Sequence, residues 1–236
     1  MKALIINGSG RGTRGITRML LDAFAAGLGD AHSQVKAYTL NEVSIEHCRS
    51  CFACMLTADG KCVIHDGMEP IYGDLRTSDA LIIGTPLYTD TMSSRTKVFF
   101  DRCIASLQPF VRQDSQGRTR HPPAWRMPKR AVLVSTCAFP EPENFKVLRA
   151  TIRALCRTFD SEFTAGLCVP GSIVLQMDKT LLGPHLELLR QAGKKFGDTG
   201  TIPRGLAARI NTPVLSKEAY LRQFQGYEDW CKKHRK

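Results

Sequence analysis

The chain has 236 residues, enough for one large domain or one domain with extensions, and 43% of them are hydrophobic, which excludes a disordered polymer. The formal charge is +11. The basic excess is dispersed, with one dense cluster at Lys232-Lys233-His234-Arg235-Lys236 and no interleaved aromatics, so nucleic acid and membrane are not expected partners.

The N-terminal apolar run is only Ala3 to Ile6, too short for a signal peptide or a membrane span, and the expected location is the cytoplasm. Lys2 to Asn7 reads as a buried strand ending in glycines. Ile16, Met19, Leu20, Ala23, Phe24 and Leu28 recur at helical spacing. Val35 to Leu40 alternates as a second strand, and a cysteine-rich loop follows over residues 48–62. Met68 to Leu75 predicts a short helix, and Ala80 to Gly84 a third strand. Thr96, Phe99, Phe100, Cys103, Ile104 and Leu107 line one helical face. Residues 109–128 are rich in Arg and Pro and lack any period, which predicts a long loop. Ala131 to Ser135 and Phe163 to Val169 complete the strands. Helices are predicted around Phe145 to Leu155 and Leu186 to Phe196, and a short helical extension carries Tyr220, Phe224 and Trp230.

This alternation predicts an α/β fold: a doubly wound, five-stranded parallel sheet with helices on both faces. Residues 1–200 form the expected domain, and 201–236 a C-terminal extension. Ligands in such a sheet sit at the carboxyl ends of the strands, near the point where strand order reverses. The loops after the first, third and fourth strands are therefore the candidates.

The first loop supports two readings. Gly10, Gly12 and Gly15 satisfy the dinucleotide fingerprint G-x-G-x-x-G, although the nearest acidic residue, Glu42, lies late for a ribose. Alternatively, Ser9, Thr13, Thr17, Arg11 and Arg14 surround the opening of a helix with donors suited to a monophosphate. In the third-strand loop, Pro86 and Tyr88 make a stiff apolar wall, and Ser93 is placed to cap the next helix. The fourth-strand loop again joins small polar residues to an aromatic, in Thr136-Cys137-Ala138-Phe139-Pro140.

Together these loops resemble the NAD(P)H-dependent FMN reductase family of the flavodoxin superfamily over roughly residues 1–175. The resemblance rests on Gly8-Ser9-x-Arg11 with Gly15-x-Thr17, on Thr85-Pro86-Leu87-Tyr88 through Lys97-x-Phe99-x-Asp101-Arg102, and on Thr136-Cys137-x-Phe139-Pro140. It implies a flavodoxin-like fold and an FMN-binding oxidoreductase with NAD(P)H as co-substrate. Ser9, Arg11, Gly15, Ile16 and Thr17 would hold the phosphate. Pro86, Leu87, Tyr88, Met92 and Ser93 would line one side of the ring, and Thr136, Cys137 and Phe139 the other. Two departures stand out. Gly10 stands where the family usually has proline, and Thr89-Asp90-Thr91 stands where relatives often carry an aromatic and small residues.

Four of the nine cysteines, Cys48, Cys51, Cys54 and Cys62, fall in one loop. Clustering of this kind points to metal or redox chemistry rather than structural disulfides. The readings are a 4Fe–4S cluster, redox-active thiols and zinc. Within the family the pattern resembles iron–sulfur flavoproteins, which hold a 4Fe–4S cluster near the flavin.

The expected chemistry is centred on the flavin, with no catalytic protein nucleophile. Electrons would pass to a small acceptor, such as a quinone or other aromatic, or through the cluster to a protein carrier, with ferredoxin as an alternative donor. The resemblance also implies a homodimer or homotetramer. Arg112, Arg118, Arg120 and His121 of the insert would close over a neighbour's flavin or hold an NADPH phosphate. The rival functions are a flavodoxin-like electron carrier, a Rossmann dehydrogenase using NAD(P) alone, and a redox-sensing module built on the cysteine loop. The strong basic charge counts against the carrier, since flavodoxins are typically acidic.

Overall fold

The computed structural model describes residues 1–176 and 178–235. Five parallel strands form the sheet: β1 (Lys2–Asn7), β2 (Gln34–Thr39), β3 (Ala80–Pro86), then, beyond a small hairpin of β4 (Arg112–Gln113) and β5 (Thr119–Arg120), β6 (Arg130–Thr136) and β7 (Glu162–Val169). Their order is β2-β1-β3-β6-β7. The order reverses beside β1, so the β1–β3 boundary is the switch point. Crossover helices are what allow the pairing to be parallel.

The central strands are apolar on both faces because both are covered. Ala3 and Ile5 point with Ile82, Val132 and Val134 toward α1 (Ile16–Asp30). Leu4 and Ile6 point with Leu81, Ile83 and Leu133 toward α2 (Met68–Thr77), α3 (Ser94–Arg102) and α4 (Lys146–Thr158). On the first face α1 packs against α5 (Gly183–Thr199), with the Phe24 and Phe196 rings 6.0 Å apart. A Cβ on Gly27 would stand 1.9 Å from the Arg190 carbonyl oxygen, and one on Gly193 would stand 2.1 Å from that of Phe24. Only hydrogen at these two positions lets the helix backbones touch.

The structure adds detail at three places. The helix expected through Leu107 tightens after Arg102 into a 3-10 turn over Cys103–Ser106. The insert expected as a loop carries the β4–β5 hairpin, whose two-residue strands are too short to leave a period in the sequence. The expected short extension is two helices, α6 (Arg204–Ile210) and the 18-residue α7 (Lys217–His234). Ile202 and Ile210 join the core beneath α1 and α5. No helix among the described residues is long and apolar enough to cross a membrane.

Candidate flavin site and cysteine pocket

At the carboxyl end of β1 the chain turns through a network anchored on Asn7. Its Oδ1 accepts from the Ser9 amide at 3.1 Å, and its Nδ2 donates to the Gly12 carbonyl at 3.2 Å. The Arg11 amide donates to Ser9 Oγ at 3.3 Å. A Cβ at Gly15 would meet that same Oγ at 2.7 Å, so glycine keeps this corner tight. Among the described residues no side chain caps α1, and its first turn holds no acidic residue. Its opening amides and the positive end of its dipole are left for an anion.

The third-strand loop is fixed by Leu87, whose amide donates to the Thr136 carbonyl at 2.8 Å. Tyr88 and Thr91 exchange both backbone bonds across a tight turn. Its central residues, Thr89 and Asp90, have φ of 45° and 62°. Two non-glycine residues in the left-handed region store backbone strain beside the cavity, and the turn leaves Tyr88 half exposed on the cavity wall. On the other side, Cys137 Sγ donates to the Phe139 carbonyl at 2.9 Å. Burial pushes this thiol's pKa up, against hydrogen bonds that lower it.

These three loops and the loop after β7 enclose a cavity of about 250 Å³. Its walls are Ser9, Arg11, Gly15, Ile16, Thr17, Pro86, Leu87, Tyr88, Thr136, Cys137, Ala138, Ser172 and Ile173. Three expected flavin residues are not on that wall. Met92 is buried in the core. Ser93 Oγ caps α3 by accepting from the Thr96 amide and also donates to the Gly8 carbonyl at 2.6 Å, so its polar group is committed to the fold. Phe139 stands exposed next to Ala138. Conversely, Ser172 and Ile173 belong to the wall without any sequence motif to mark them. Ser172 Oγ donates to the Cys137 carbonyl at 2.9 Å, joining the loops after β6 and β7. The signal for them was the last strand's carboxyl end, adjacent to β6 in the sheet order.

The extension also reaches this end of the sheet. Lys217 pairs with Glu141 at 3.0 Å. The Tyr220 hydroxyl is buried without a hydrogen-bond partner among the described residues.

The cysteine loop lies on the α2–α3 face. Ser50 and Phe52 take left-handed φ of 51° and 55°, bending the chain on either side of Cys51. Cys48, Cys51, Cys54 and Cys62 all line one cavity of about 90 Å³, with Ile64, Arg102 and Ile104. Cys54 has its pKa raised by burial first, then by the charges of Cys62, Cys48 and Cys51 nearby. Among the described residues, no three His, Cys, Asp or Glu side chains are gathered as a site for a metal ion. Arg102 is 1% exposed and donates to Cys62 Sγ at 3.5 Å, and its buried Nε has no partner among the described residues.

A family model described as NADPH-dependent FMN reductase matches residues 1–138. An iron-sulfur flavoprotein of Methanocaldococcus jannaschii is 32% identical over 80 residues, covering 34% of this chain and 40% of that protein. One of Archaeoglobus fulgidus is 32% identical over 104 residues, covering 44% and 46%. The chain thus spans less than half the length of these two relatives. Among solved structures, a NAD(P)H:quinone oxidoreductase from Methanothermobacter marburgensis superposes with a TM-score of 0.62 at 16% identity, covering 83% of this chain and 96% of the other. An FMN-dependent NADH-azoreductase from Bacillus anthracis, in complex with FMN, gives 0.58 at 13% identity, with 83% and 99% covered. At these identities the likeness is one of fold.

Proposed function

The chain belongs to the NADPH-dependent FMN reductase family, and from that premise we propose that it binds FMN in the 250 Å³ cavity, takes reducing equivalents from NAD(P)H and passes them to a small acceptor such as a quinone or other aromatic. One observation carries this reading. Three loops far apart in sequence, each bearing one of the family-like motifs, converge on one cavity at the switch point.

The cavity's chemistry fits the group. Ser9, Arg11, Gly15, Ile16 and Thr17 combine a guanidinium, hydroxyls and helix-opening amides, the donor set a phosphate dianion requires. Pro86, Leu87 and Tyr88 on one side, and Thr136 and Cys137 on the other, would receive the ring against a largely apolar wall. Bound there, FMN supplies reversible hydride acceptance, and the protein's part is position and electrostatics. Tyr88, half exposed, forms part of the wall, and the Ser172–Cys137 bond joins the loops of the far wall.

We further propose that the cysteine pocket holds a 4Fe–4S cluster, with Cys48, Cys51, Cys54 and Cys62 as ligands. The support is chemical. Four thiols line one cavity, and the buried Arg102 guanidinium, already paired with Asp66, also donates to Cys62 Sγ, so a fixed positive charge faces the sulfurs that an anionic iron–sulfide cluster would use. A cluster there would supply one-electron relay between the flavin and a carrier protein, with ferredoxin as an alternative donor. Assembly as a homodimer or homotetramer belongs to the same proposal.

The absorbance spectrum of protein purified without oxygen tests both cofactors together. Flavin bands with a broad iron–sulfur absorption are expected. Protein that stays colourless after incubation with FMN would overturn the flavin assignment.

A further inference from the structure

A second cavity, of about 290 Å³, lies between the insert and the end of α4. Its lining shares no residue with the flavin cavity. Met127 precedes β6 and Asp160 precedes β7, which places it at the amino ends of the strands, opposite the proposed flavin site.

Its walls carry Arg112, Arg120, Arg157 and His121. Arg112 and Arg120 are paired residues of the antiparallel β4–β5 hairpin. Like charges directly opposite each other across two strands repel, and this two-residue ladder has little to offset that cost. Arg157 occupies the last turn of α4, where the helix dipole favours a cation. No such reason accounts for the hairpin pair. None of the three is in an ion pair among the described residues. Arg120 Nη1 donates to the Thr119 carbonyl, while its Nε is buried without a partner among those residues.

Two carboxylates also line the cavity. Asp114 is spent on the hairpin turn, accepting from the Gln116 and Arg118 amides and from Arg118 Nε. That leaves Asp160 against three guanidinium groups. His121 Nδ1 donates to the Phe110 carbonyl at 2.9 Å, which orients the ring. Leu107, Pro123, Met127 and Phe159 add an apolar floor.

We propose that this cavity is a second ligand site, separate from the flavin cavity, that takes a small organic molecule bearing a phosphate. A lone carboxylate would satisfy one guanidinium fork, whereas a phosphate dianion has oxygens enough for several. The apolar floor would receive the ring or chain attached to it.

The test is calorimetric titration of the full-length protein with inorganic phosphate, ADP and adenosine 2′,5′-bisphosphate. Binding of at least one is expected, weakened about tenfold or more in both the R112Q/R120Q variant and R157Q, the scale of losing a hydrogen bond to a charged group. R190Q, whose ion pair with Asp30 lies away from both cavities, should bind as wild type does, and R11Q reports any binding at the first loop instead. Nucleotides binding more tightly than phosphate would identify a nucleotide as the ligand, and equal affinities a simpler phosphate ester. Because Arg157 lies on a different element from the hairpin, R157Q reports on the site even if the double variant misfolds. Absence of binding by all three probes would overturn the proposal. So would binding that survives both R112Q/R120Q and R157Q, or that is lost in R11Q alone.

Discussion

Asp66 and Arg102 form a buried ion pair: Asp66 Oδ2 lies 2.6 Å from Arg102 Nη1, with the two side chains 7% and 1% exposed. The pair joins the far end of the cysteine loop to α3. Arg102 also donates to the Glu46 carbonyl at 2.9 Å and to that of Ile64 at 3.3 Å, so one guanidinium fastens both flanks of the loop. Asp66→Ala strands a buried cation and should lower stability by about 3–5 kcal/mol in urea denaturation. Replacing both partners, Asp66→Leu with Arg102→Met, should cost less than that single change. A double variant as unstable as Asp66→Ala would show that the charge pair is not what matters.

The same pair sets a pH dependence. Burial pushes the Asp66 pKa up, but the Arg102 hydrogen bond and the amides of Glu46 and Met68 outweigh it, so the net shift is down. A depressed folded-state pKa gives stability that is full above the ordinary carboxylate value of about 3.9 and is lost as pH falls through the lowered value. Denaturation midpoints of wild type and Asp66→Asn should therefore differ at neutral pH and converge below that range.

Arg11→Ala should weaken FMN binding by about 1.5–3 kcal/mol, the scale of a hydrogen bond to a charged group. Riboflavin, which lacks the phosphate, should bind both proteins alike. Flavin fluorescence titrations give both numbers, and coincident FMN curves would remove Arg11 from the phosphate site.

Ser93 separates a structural role from a binding one. Its hydroxyl caps α3 and reaches the Gly8 carbonyl. Ser93→Ala should lower stability by about 1–2 kcal/mol, as loss of a cap does. FMN affinity, measured where the variant is folded, should change little. A large loss of affinity with unchanged stability would return Ser93 to the flavin wall.

Cys51→Ala tests the metal reading. Wild-type protein prepared without oxygen should carry about four irons per chain, and the variant should lose most of them while keeping its flavin. The flavin loops use other elements, so the two losses are separable. Wild type that stays free of iron after reconstitution with iron and sulfide would shift the weight to redox-active thiols.

The strands were legible because β1, β3 and β6 are covered on both faces and read as unbroken apolar runs between glycine- and proline-rich turns. That Ser9, Arg11, Gly15, Ile16 and Thr17 would meet on one cavity wall was legible because they fall together at a single strand–helix junction. Sequence could not decide how side chains with two capacities are spent. Ser93 had the chemistry of a flavin donor and of a cap, and only its position beside Thr96 and Gly8 assigns it to the cap. Ser172 and Ile173 carry no motif and enter the site because β7 lies next to β6. Arg102 and the cysteines are far apart along the chain, and Arg112 and Arg157 farther from any motif. Their meetings depend on which helices share a face of the sheet and on where the insert returns to it, distances that the local pattern of residues does not encode.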